Sequence, residues 1–103
     1  MKTPVIFRKF KDGGPVVAIF PAQAGDLDPT TTCGSYQTIG QQGEIGTLSA
    51  IALDYRKFTH MARFAEYTPL KEELERMGYD LKVVGRRSPA HDRVRYKECG
   101  MRI

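Results

Sequence analysis

Lys82, Arg86, Arg87, Arg93, Arg95 and Lys97, with Tyr96 among them, are the residues of this chain whose types suit contact with phosphate. Guanidinium and ammonium groups neutralise backbone phosphates without reading base sequence, and a tyrosine ring can stack on one base. Residues 82–103 hold seven Lys/Arg against Asp92 and Glu98, a balance of +5, while residues 1–81 hold nine against ten Asp/Glu, a balance of −1. The net charge of +4 therefore belongs to one end of the chain. A near-neutral body with a basic end fits a chain that touches nucleic acid, and fits better a solvated tail that keeps the chain soluble. No aromatic RNA-binding pair and no helix-turn-helix pattern accompanies the basic residues.

Other reactive types are scattered. Cys33 with His60 or His91 would make a thiol–imidazole pair, but no basic neighbour or helix start near Cys33 would activate it. Two Cys and two His match zinc in number, yet none stand at the short paired spacing that zinc sites show. Gly40, Gly43 and Gly46 lack both the dinucleotide spacing and a following Gly-Lys-Ser/Thr, so they read as a turn. Glu72, Glu73 and Glu75 belong to a charged helix face, where Glu72 and Arg76 are spaced to pair, and Asp26 and Asp28 sit among turn formers. The expectation is a protein with no catalytic residues, no metal and no cofactor.

The elements that must position these residues follow from pattern. A chain of 103 residues, 41% hydrophobic, makes one domain. No apolar run reaches the roughly 20 residues of a membrane span, and the charged N-terminus lacks a signal-peptide core, so a cytoplasmic protein with reduced Cys33 and Cys99 and no membrane contact is expected. Asp12-Gly13 between two apolar runs signals a two-residue hairpin turn. That register sets Phe10 opposite Pro15, Phe7 opposite Ala18 and Val5 opposite Phe20. One face then carries Val5, Phe7, Ala18 and Phe20; the other, with Ile6, Arg8, Val17 and Ile19, reads as mixed and partly solvated.

Residues 32–39 read as a third strand, and 48–55 lean to a fourth although helical spacing fits as well. Leu70, Leu74 and Met77 mark one amphipathic helix that stops at Gly78. It starts either at Thr68-Pro69 or near Arg63, the longer version drawing on Phe64 and Tyr67. A strand over 79–84 places Leu81 and Val83 in the core beside Tyr36 and Ile39. The fold class expected is α+β: a small antiparallel sheet of three to five strands with one main helix on one face. Residues 1–85 form this domain. Residues 86–103 are a basic tail or, from the alternation of Val94 and Tyr96, a short edge strand.

Several segments carry a resemblance: residues 1–13, Val17-Ala18-Ile19-Phe20-Pro21, Cys33-Gly34-Ser35-Tyr36, Ile39-Gly40-Gln41, Glu66-Tyr67-Thr68-Pro69-Leu70, Glu73-Leu74 and Gly78-Tyr79-Asp80-Leu81. Together they resemble a group of short uncharacterised bacterial proteins associated with phage-like or mobile elements, over roughly two-thirds of the chain. Position 42 is Gln where the group carries His, and 44–60 departs from it. The resemblance implies a small cytoplasmic protein and brings no catalytic or ligand residue. The leading expectation is a non-enzymatic accessory module with a protein partner or a second copy, acting through an exposed sheet edge. The alternative is a nucleic-acid-binding accessory protein that uses residues 82–103. An enzyme centred on Cys33 is the third.

Overall fold

The hairpin register follows the reading from sequence, but its turn does not. In a computed structural model, which describes residues 2–25, 28, 30–37 and 47–100, β1 (Thr3–Phe10) pairs antiparallel with β2 (Val16–Phe20), Phe7 facing Ala18. At the turn only Gly13 takes a positive φ, +84°, and no non-glycine residue does. The Asp12 carboxylate instead accepts from the Gly14 N–H at 3.1 Å, an Asx-type contact that closes a four-residue loop. A two-residue turn with both centres left-handed would strain Asp12; the wider loop avoids that.

β3 (Thr32–Gln37) and β4 (Thr47–Ala52) extend the sheet beyond β2, and β5 (Thr59–Met61) pairs with the far end of β1, giving the order β4-β3-β2-β1-β5. β6 (Leu81–Val83) lies parallel to Thr3–Val5, so the sheet is mixed rather than wholly antiparallel. The parallel pairing is possible because α1 (Phe64–Arg76) carries the chain back between β5 and β6. β1 is thus central, and its outer side is divided between two short strands. The expected Ile39 core position and the glycines at 40, 43 and 46 lie outside the described residues.

α1 covers one face. Leu70 and Leu74 pack on Val5, Phe7, Ala18, Phe20, Tyr36 and Leu81, and Tyr67 stacks on Phe7 with ring centroids 4.4 Å apart. The helix is the longer of the two versions: it begins ahead of Pro69, and the Glu66 carboxylate accepts from the Arg63 N–H at 2.9 Å while pairing with Lys9 Nζ at 2.9 Å. Pro69 leaves the Ala65 carbonyl without its usual donor. Gly78 ends the helix with φ +105°. Lys71–Glu75, at 3.0 Å, is the i,i+4 pair present among the described residues, in place of Glu72–Arg76. Met77 and Val83 are corrected out of the core. Met77 is the cap residue beyond the last turn and is 48% exposed; Val83 sits on the marginal strand and is 42% exposed.

The other face is not solvated. Ile6, Val17, Ile19, Cys33, Ile51 and Tyr55 form a second buried cluster, with Leu53 and Val84 against it. The segment read as a tail or edge strand is a second helix, α2 (Pro89–Glu98), which joins the main helix α1 among the described residues. Ser88 caps it: its Oγ accepts from the His91 N–H, and His91 Nδ1 accepts from the Ser88 N–H at 3.1 Å. Pro89 at the first helical position is preset for that turn.

What seats α2 is an arginine. Arg95 is fully buried; its Nη1 donates to the Pro21 carbonyl at 2.6 Å, and its Nη2 lies 2.8 Å from Asp92 Oδ1. Arg87 Nη1 reaches the same carboxylate at 2.7 Å. The strand reading failed here because period-2 alternation assumes that the apolar residues turn inward, and in α2 the inward residue is the charged one. Arg95→Ala strands the Pro21 carbonyl, leaves Asp92 with Arg87 alone and empties a fully buried site, and is expected to cost about 3 kcal/mol. Urea unfolding with far-ultraviolet circular dichroism checks this, and an unchanged midpoint with full helicity would contradict it.

Candidate functional site

At the place where β5 and β6 share the outer side of β1, three segments surround a groove. Its floor is Arg8, on the face of β1 that also carries Ile6. Thr59 on β5 holds the Arg8 guanidinium: Nε donates to Thr59 Oγ1 at 3.0 Å and Nη2 to the Thr59 carbonyl at 2.9 Å. Thr59 is itself fixed, since its hydroxyl donates to the Tyr55 carbonyl at 2.7 Å. The Arg8 guanidinium carbon lies 5.6 Å from the Tyr55 ring centroid, a cation–π contact.

The walls come from a turn of 3-10 helix, Tyr55–Lys57, and from residues 85–89. One cavity of about 370 Å³ is lined by Arg8, Arg56, Met61, Gly85 and Arg86. A neighbouring one of about 430 Å³ shares Arg56 and Arg86 and adds Arg87, Ser88 and Pro89, with Leu53 and Tyr55 behind. Tyr55 lies behind the wall that carries Arg87, and the Arg87 backbone near its oxygen favours the charged form of the ring. Burial raises the Tyr55 pKa, so the ring stays neutral.

The electrostatics are one-sided. Among the described residues, no Asp or Glu lines either cavity. Burial depresses the Arg8 pKa; the Tyr55 oxygen opposes that, and the neighbouring Arg56 charge adds to it. Asp92, close by, is committed elsewhere. Burial would raise its pKa, but the hydrogen bonds from Arg87 and Arg95 outweigh that and hold it below the usual carboxylate range. The same contact raises Arg87.

The residues singled out in the sequence are dispersed by the fold. Arg86 and Arg87 line the groove. Arg95 is buried and serves the fold, and its guanidinium lies 5.0 Å from the half-buried Tyr96 ring. Arg93 and Lys97 lie on the outer side of α2 with Ala90 and Val94, and Lys82 is exposed on β6. Arg8 and Arg56 were not foreseen. Their one signal was Arg8 itself, a charge interrupting an otherwise apolar strand face.

Cys33 is buried beside Arg95, Arg87 and Asp92, and desolvation pushes its thiol up to about 11, so it is protonated at neutral pH. Cys99 is exposed, and both thiols are free. Among the described residues, no three His, Cys, Asp or Glu side chains group as metal ligands would, and no helix is long and apolar enough to cross a membrane.

Fold and groove together define a small α+β domain: among the described residues, a mixed six-stranded sheet with α1 on one face, α2 anchored near Cys33 on the other, and an arginine-lined groove at the sheet margin. No protein-family model, curated protein or solved structure matches the chain.

Two outcomes follow from these environments. Iodoacetamide at neutral pH is expected to modify Cys99 readily and Cys33 only after unfolding, read by peptide mass spectrometry; fast native labelling of Cys33 would refute its burial. Desolvation lowers the His91 pKa below its ordinary 6.5. The unfolded chain then takes up a proton before the folded one does, so stability falls as pH drops through about 6.5 and levels off below the folded value. His91→Gln keeps an acceptor at the cap and is expected to flatten that part of the slope in melting curves taken across pH.

Proposed function

We propose that the protein is a small non-enzymatic binding module that holds a phosphate backbone, nucleic acid in the first place, in the groove of Arg8, Arg56 and Arg86, with Arg87 held by Asp92 in its wall. The observation that carries this reading is the company of guanidiniums lining one cavity with no carboxylate among the described lining residues. Like charges brought together oppose folding unless an anion completes them. Arg95 and Arg87, by contrast, are provided with Asp92. Arginine forks match phosphate oxygens in pairs, which suits this role better than a lysine-rich surface would. The reading moves the nucleic-acid contact from the whole segment 82–103 to the groove, and leaves Arg93 and Lys97 as a solvated helix face. In this reading the protein is an accessory to nucleic-acid transactions, and the cytoplasmic setting remains the expectation from sequence.

Fluorescence anisotropy against single- and double-stranded DNA and RNA tests it. Binding is expected to weaken steeply with salt. Arg56→Gln with Arg86→Gln should weaken it at least about tenfold at low salt and reduce the salt slope by about two, near one per lost contact. Arg93→Gln with Lys97→Gln should change little. The reverse ranking would return the contact to the outer face of α2, and no binding at low salt would remove the reading.

A further inference from the structure

The Arg8 guanidinium is oriented as well as buried. Only 8% of the residue is exposed, and two of its three nitrogens are engaged by Thr59. The edge that carries Nη1 is what remains to meet the cavity. Arg56 and Arg86 line the same cavity from two different segments. A recessed floor under two flanking guanidiniums suits a group that enters end-on. An internal phosphodiester carries one charge and two free oxygens, and its chain must leave on both sides. A phosphate monoester carries a charge of about −1.5 to −2 and three free acceptor oxygens on a single attachment. Three guanidiniums match three oxygens, and the greater charge answers a cluster with no carboxylate among the described lining residues.

We propose that this recess is a pocket for a phosphate monoester, the terminal phosphate of a nucleic-acid strand or of a free nucleotide, with Arg8 as its floor. This rests on the groove being the nucleic-acid site. Arg56 and Arg86 would then serve both the end and the first backbone phosphates beside it, through the adjoining cavity. Tyr55 is too deeply buried to stack on a base, so the pocket would select the phosphate and be indifferent to the base.

The test compares short 3′-labelled DNA strands that carry either a 5′-phosphate or a 5′-hydroxyl, by anisotropy at physiological salt. The phosphorylated strand is expected to bind at least about tenfold tighter, and unlabelled nucleoside 5′-monophosphate to compete. Arg8→Gln should abolish the difference. Because Arg8 also braces Thr59, a second variant guards against misfolding. Gly85 has no positive φ, and a Cβ there meets nothing within 4 Å. Gly85→Asp should therefore fold normally, place a carboxylate at the cavity wall and remove the preference for the phosphorylated end. Competition by the free nucleotide as strong as by the strand assigns the pocket to nucleotides, and much weaker competition assigns it to strand ends. Equal binding of the two strands, still salt-dependent and still lost with Arg56 and Arg86, overturns the monoester pocket and leaves the backbone groove standing. No binding of either strand overturns both.

Discussion

Much of the molecule depends on one carboxylate shared by two guanidiniums. Asp92 lies between Arg87 and Arg95, and Arg95 reaches across to the Pro21 carbonyl at the end of β2. Taking such groups out of water is costly, and the arrangement holds only because the ion pairs and the carbonyl contact are made together. Once made, they seat α2, whose other residues are mostly exposed, against the Cys33–Tyr55 side of the sheet. They also anchor residues 86–88, and with them a wall of the groove. Without Asp92, Arg87 and Arg95 would repel one another beside an apolar cluster.

The two arginine groups of this chain differ in how their charge is met. Arg87 and Arg95 have their carboxylate, and their charges are spent within the fold. Arg8, Arg56 and Arg86 have none among the described residues along the cavities they line. Arg8 is nevertheless held firmly, by Thr59 and by the Tyr55 ring, so its position is set before any anion arrives. A preset donor loses little freedom on binding, which is where much of the cost of association otherwise falls.

The sheet margin explains why this place and not another became the groove. β5 and β6 are three residues each, and both dock on β1, one antiparallel and one parallel. Neither spans the full edge. The seam between them leaves Met61 and Gly85 on the rim and Arg8 below. Val83 and Met61 stay substantially exposed for the same reason, since no longer strand covers them.

Local chemistry in the chain decides the hairpin register, the amphipathic α1 with its Gly78 stop, and the α+β class. Each rests on residues close in sequence: alternation across Pro4–Phe20, the Leu70–Leu74 spacing, and a left-handed glycine. Tertiary structure decided the rest. Alternation could not show that both faces of β1 are buried, because a second apolar face is covered only once distant segments arrive. α2 carries no apolar stripe to announce it; its inward residue is a charge, and a charge turns inward only where Asp92, Arg87 and the Pro21 carbonyl meet it. The groove was hidden for the same reason. Arg8, Arg56 and Arg86 stand far apart in the chain, in segments of different net charge, and only the docking of β5 and β6 on one strand brings their guanidiniums around a single cavity.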